Sequence, residues 1–118
     1  MLRLAVLLIA FLVSAAGPSV AADDRFVPGF EDLPLMSGLT PVEGSSVVFD
    51  KPHGRIIEAA VTGTVAPPAI EAFYDRTLPQ LGWQRFGGMT YGREGLRLRI
   101  EIGGPPDRQV VGFFLSPK

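Results

Sequence analysis

Along this chain the spacing of apolar residues switches between two periods, and each switch marks an element. Between residues 47 and 65 apolar and polar positions alternate: "VVFD", a turn "KPHG", then "RIIEAAVTGTV". A period of two puts successive side chains on opposite faces of a strand, so the stretch reads as a β-hairpin. In its second arm Ile57, Ala59, Val61 and Val65 share the core face. Glu58, Ala60, Thr62 and Thr64 point away, and Ile56 breaks the alternation.

The period then becomes helical. Pro67 and Pro68 suit a first turn, whose amides have no intrahelical acceptor, although no Ser, Thr, Asp or Asn stands at the cap. At about 100° per residue, Ile70, Phe73, Tyr74, Thr77, Leu78 and Leu81 fall within one arc, and Glu71, Asp75, Arg76 and Gln80 fall outside it. The spacing predicts a helix over 67–81 with its aromatics in the core, Pro79 on the solvent side and Gly82 as a left-handed stop. On that reading Phe73→Ala costs about 3–5 kcal/mol.

A meander follows: "WQRF", the turn Gly87-Gly88, "MTYGR", a tight turn at Glu94-Gly95, "LRLRIEI", the turn "GGPPD" and "QVVGFFLS". Leu96, Leu98, Ile100 and Ile102 alternate inward against Arg97, Arg99 and Glu101. Phe86, Met89 and Tyr91 are placed together on one face. Strict alternation then puts Trp83 on the other, so either a bulge intervenes or Trp83 packs at the helix end. The last strand is apolar on both sides, with Val111, Phe113 and Leu115 against Val110 and Phe114. Its second face needs a cover, and the segment Phe30–Met36 is the candidate. The expected architecture is α+β: an antiparallel sheet of about four to six strands with one helix on one face, in the order ββαββββ.

What precedes residue 47 divides in two. Arg3, the apolar run Leu4–Val13 and the small residues up to Ala22 read as a signal peptide over 1–22, cut after Ala22 or after Ala21. The apolar run is shorter than the roughly 20 residues a bilayer span needs, so no permanent membrane anchor is expected after cleavage. Residues 23–46, "DDRFVPGFEDLPLMSGLTPVEGSS", show neither period and are expected to run extended over the surface. They are nonetheless too apolar for a disordered tail. The α+β domain is assigned to 47–118.

Composition narrows the setting more than the function. Removing 22 of 118 residues leaves 96, and the chain has no cysteine, so packing alone must hold a thin core. The remainder carries 10 basic and 12 acidic residues, which offers no electrostatic case for nucleic acid. Arg far outnumbers Lys, and Asn is absent. These features point to the periplasm or exterior of a Gram-negative bacterium.

No motif announces chemistry. One histidine, His53 in the "KPHG" turn, is too few for a zinc site, and no Gly-x-Ser-x-Gly elbow presents a serine. Glu58 and Glu101 across the sheet form the nearest thing to an acid–base pair, but they have Arg97 and Arg99 beside them to neutralise a solvated face. No cofactor, metal or catalytic group is expected.

Taken together, "DLPLMSGL" before the strand pair, "AFYDRTLPQLGW" on the helix and the closing meander resemble a class of small exported bacterial proteins. In that class a Phe-Tyr, Leu, Gly-Trp helix leads into further strands. The likeness covers residues 26–117 and implies export and fold. The class has no assigned activity, so the resemblance brings no site residue with it. The expected function is a non-enzymatic interaction module of the cell envelope, docking a protein partner on the sheet through Glu58, Arg93, Arg97, Arg99 and Glu101, or by strand addition at an edge. The alternative is a carrier of a small apolar ligand in a groove between helix, sheet and N-terminal segment.

Overall fold

The computed structural model describes residues 25–118; the expected signal peptide lies outside them. The strands are β1 (Leu39–Pro41), β2 (Val47–Lys51), β3 (Gly54–Gly63), β4 (Gln84–Gly87), β5 (Thr90–Arg93), β6 (Leu96–Gly103) and β7 (Gln109–Pro117), with helix α1 (Pro67–Thr77) between β3 and β4. They form one seven-stranded antiparallel sheet in the order β1-β3-β7-β6-β5-β4, with β2 also paired to β3. The α+β class is as expected, but the strand count exceeds the expected range. The extra strand, β1, arises from the segment expected to run extended over the surface, where Leu39, Thr40 and Pro41 oppose Gly63, Thr62 and Val61. Three residues are too few to show a period of two, so no alternation betrayed it.

Register gives the sheet two unlike faces. On one, Ile57, Leu115, Leu98 and Tyr91 lie side by side across β3, β7, β6 and β5, and next to them run Ala59, Phe113 and Ile100. All seven are buried. On the other, Glu58, Phe114, Arg99 and Thr90 form a row, flanked by Ala60, Gly112 and Glu101.

Helix α1 lies on the apolar face and sinks Ile70, Tyr74 and, one turn on, Leu78 completely. Phe73 and Leu81 are only half-buried at its margin. The large cost expected for Phe73→Ala therefore belongs elsewhere. The α-helix ends at Thr77: Leu78 keeps α geometry and its amide still bonds Tyr74 O, but Pro79 has no N–H to continue the ladder. Leu78–Leu81 continue as a 3-10 turn. Gly82 then adopts φ 90°, its amide bonding to Pro79 O at 3.1 Å while the Trp83 amide bonds to Leu78 O at 3.1 Å. That pair of bonds is a Schellman motif, in which the residue after the glycine turns back onto the helix end. This settles Trp83: it is buried on the helix side. Alternation from Trp83 then carries Phe86 to the opposite face from Tyr91. The expected grouping of Phe86 with Met89 and Tyr91 is overturned. A bulge between Arg85 and Gly87 leaves Phe86 63% exposed with Lys118 Nζ 4.9 Å from its ring centre.

An 11-residue helix is only about 16 Å long, whereas six strands abreast span about 25 Å, so α1 cannot roof the apolar face alone. The N-terminal loop covers the rest. Val27-Pro28-Gly29-Phe30 makes a turn closed by Phe30 N to Val27 O at 3.1 Å, with Gly29 at φ 88°, a conformation glycine adopts freely. Val27 and Leu33 are buried, Phe30 meets Phe113 edge-on at 6.3 Å, and the Tyr74 hydroxyl donates to Pro34 O at 2.8 Å. The loop had been expected over the second face, that of Val110 and Phe114. It lies instead beside the helix on the first, because that face is continuous hydrocarbon while the second carries Glu58, Arg97, Arg99 and Glu101.

Candidate functional site

Two features stand out once the layers are in place: an uncovered sheet face and a cavity under the N-terminal loop. Among the described residues no element covers the second face. Glu58, Arg97, Arg99 and Glu101 stand on it together, as expected from their alternation. Arg99 lies over Phe114 at 4.7 Å from the ring centre and approaches Glu101 at 3.2 Å. Both partners of that pair are more than half exposed, so it contributes little to stability. Glu58 and Glu101 do not form a pair, since β7 runs between their strands. Phe114 lies flat because residue 112 is glycine: a Cβ there would come within 2.8 Å of its ring. His53 is exposed in the turn between β2 and β3.

Along the edge, β2 is exposed throughout, with Val47 37%, Val48 46% and Phe49 49% accessible. Val47 and Phe49 pair with Glu58 and Ile56 and so extend the open face; Val48 pairs with Ile57 and extends the other. The open face thus runs from an apolar edge into charged rows.

Arg93 does not belong to this strip, contrary to the sequence-based grouping. It lies opposite Leu96 across the Glu94-Gly95 turn and therefore shares the inward face. Counting across that two-residue turn would have placed it correctly, since directly opposed residues share a face. Its guanidinium stacks on Trp83 at 4.3 Å and donates to Asp32 at 2.8 Å and to Leu81 O at 2.9 Å. Helix end, loop and sheet meet at this one side chain. Beside it is a cavity of about 330 Å³ with Ile57, Leu98 and Leu115 as floor and Phe30, Leu33 and Trp83 as walls.

From the last turn of α1, Asp75 accepts from the Tyr91 hydroxyl at 3.2 Å, and Arg85 donates to the same carboxylate oxygen at 3.1 Å. Burial, reinforced by the Asp75 charge, pushes the Tyr91 hydroxyl up to about 12. Burial also raises Tyr74 above the usual tyrosine range, with a backbone hydrogen bond at Met36 opposing it in part. An unfolded tyrosine releases its proton near pH 10. Above that pH the folded chain holds protons that the unfolded chain has lost, so this contribution is complete below about pH 10 and disappears as pH rises through about 12. We expect urea midpoints to stay level from about pH 7 to 9 and fall above about 10, with a shallower fall in Tyr91→Phe. A level midpoint to about pH 12 would contradict the assignment.

No group of three or more metal-ligating side chains occurs among the described residues. Compared with known protein families, curated proteins and solved structures, the chain matches none. The site must therefore be read from its own geometry.

Proposed function

We propose that this protein is an exported, non-enzymatic interaction module of the bacterial envelope, and that its partner is a protein seated on the open sheet face and along the β2 edge. The observation that carries this reading is the bare edge strand, whose apolar Val47 and Phe49 continue into a face that no element among the described residues roofs. Unpaired strand edges are templates for an added strand, and natural sheets normally blunt them with charge, proline or a cover. Here only Asp50 and Lys51, at the turn end of β2, are charged. The ion pairs and cation–π contacts of Arg99 and Lys118 keep the face soluble while it is empty, and they are weak enough to exchange for contacts with a partner.

The test is capture on the immobilised protein from the envelope fraction of the source bacterium, run in parallel with Val47→Lys/Phe49→Lys. Val47 and Phe49 are 37% and 49% exposed, so the variant should lose about 1–2 kcal/mol and stay folded. A partner held by the parent and lost by the variant, with new amide-exchange protection over residues 47–51, is the expected result. Identical captured sets from both proteins would remove the reading.

A further inference from the structure

The open face carries its charges in an order that is complementary to itself. We propose that its occupant is a second copy of this chain, stacked sheet on sheet about a twofold axis along β7, which rests on the open face being a docking surface and names the protein that docks.

The rows of the sheet set the symmetry. Glu58 on β3 and Arg99 on β6 flank Phe114 on β7 in one row. A twofold axis lying between two facing sheets and parallel to β7 exchanges left and right in each row. It sets Phe114 over Phe114, and Glu58 of each copy over Arg99 of the other. An axis across the strands would instead stack Glu58 on Glu58 and Arg99 on Arg99, so charge selects the first. Arg97 and Glu101, in the adjoining rows, then face Ile56 and Ala60 of the second copy, and no like charges among these are opposed. Facing sheets keep their strands within about 30° of one another, which displaces groups one strand from the axis by about 2.5 Å, well within the reach of an arginine side chain. The Arg99 side chain is 54% exposed and holds exposed Glu101 and the Phe114 ring, contacts weak enough to exchange for Glu58 of a second copy.

Apolar groups obey the same symmetry. Val47, Phe49, Phe86 and Val110 are four of the five exposed large hydrophobic side chains among the described residues, and all four stand on this face. Phe49 shares a row with Ile56, Arg97 and Gly92. The Phe86 ring lies over Gly92, where a Cβ would collide with it. Phe49 is two strands from β7 on one side and Gly92 two strands from it on the other. The axis that matches the charges therefore also sets Phe49 of each copy against Phe86 of the other, rings that are 49% and 63% exposed in the single chain. The extent is sufficient as well. Six strands abreast and the eight residues of β6 outline about 25 by 27 Å, and two such faces bury about 1,300 Å², within the range of specific interfaces. Strand addition along the five residues of β2 covers far less, so the face is what holds the second copy.

The experiment is analytical ultracentrifugation of the purified protein from about 1 μM to about 1 mM, at low and at high salt. We expect a monomer–dimer equilibrium with a dissociation constant of about 1–100 μM that weakens as salt rises, because salt screens the Glu58–Arg99 pairs. Arg99→Glu alone and Glu58→Arg alone should each stay monomeric while melting near the parent, since both positions are exposed. Mixed in equal amounts the two variants should associate, because both pairs across the axis are then again opposite in sign. Phe86→Ser leaves the charges in place and should weaken the dimer by about tenfold or more, since two rings per dimer are lost. A parent that stays monomeric to about 1 mM overturns the proposal. So do charge-reversed variants that dimerise like the parent, and so does a mixture of them that fails to associate. If one reversal does not fold, Phe86→Ser decides, and a dimer it leaves unchanged sinks the proposal. A monomeric parent that still captures an envelope protein through residues 47–51 removes the second copy and leaves the docking reading in place. A dimer restored in the mixture, with identical sets captured by the parent and Val47→Lys/Phe49→Lys, keeps the second copy and removes any other protein partner.

Discussion

Phe113→Ala should cost about 3–5 kcal/mol, more than any other single truncation in the chain. Phe113 is completely buried and its ring meets both roofing elements: Tyr74 of α1 stands edge-on to it at 5.3 Å and Phe30 of the N-terminal loop at 6.3 Å. Its cross-strand neighbours are Ala59 and Ile100. Because Ala59 is small, nothing on that side can expand into the space the ring vacates. A cavity left open costs more than one that collapses. With no disulfide and a total stability on the scale of about 5–15 kcal/mol, a loss of that size is a large share of the whole. Urea melts provide the measurement, with Val110→Ala on the open face as control, where 42% exposure limits the loss to about 1 kcal/mol or less. A Phe113→Ala cost under about 1 kcal/mol would mean the three-ring stack does not hold the layers together. Phe73→Ala, at the helix margin, should fall between the two.

Gly63→Ala should be the most damaging single-methyl addition, at about 1–3 kcal/mol or more. A Cβ at Gly63 would sit inside the van der Waals envelope of the Gly38 carbonyl oxygen and within 3.1 Å of Leu39 Cδ2. Backbone cannot swing aside as a side chain can, so β1 would have to leave β3. That movement also withdraws buried Leu39 from the core. Gly103→Ala is the matched control: it is another strand glycine in the same sheet, yet a Cβ there meets nothing within 4 Å. Alanine restricts the unfolded chain more than glycine does, so Gly103→Ala should be neutral or stabilise by up to about 1 kcal/mol. Equal effects at the two positions would argue against the close approach of β1 to β3. The same pair also tests the N-terminal segment, because only Gly63→Ala should raise amide exchange at Leu39–Pro41.

The elements that could be read from the residue pattern are those with many repeats of one period. β6 shows four apolar and three charged residues in strict turn, and every one of those side chains is found on the face its position implied. Helix α1 spans enough residues to show an arc, and Gly82 stops the 3-10 turn that continues it with the positive φ that glycine accepts most readily. Where legibility failed, the pattern was short or a turn intervened. β1 has three residues. Phe86 was misplaced by counting through two glycines whose bulge shifts the register, and Arg93 by grouping charges along the sequence instead of pairing them across the hairpin.

The candidate sites divide along the same line. Glu58, Arg97, Arg99 and Glu101 were legible because one period of two, repeated on neighbouring strands, places them on one face in any antiparallel register that buries the leucines. The exposed β2 edge and the cavity were not. An edge exists only by virtue of what fails to pair with it, and a cavity only by virtue of where three separate segments stop short of one another. Local pattern determined the class, the helix, the long strands and the polarity of each sheet face, because those follow from neighbouring residues in the chain. Tertiary structure alone decided which face the N-terminal loop roofs and that the outer edge of β2 is left unpaired. It alone brought Asp32, Trp83 and Arg93 together, from positions 51 and 10 residues apart in the chain. The physical reason is area: one short helix cannot cover the apolar face, and the chain completed the roof with the most apolar segment within reach.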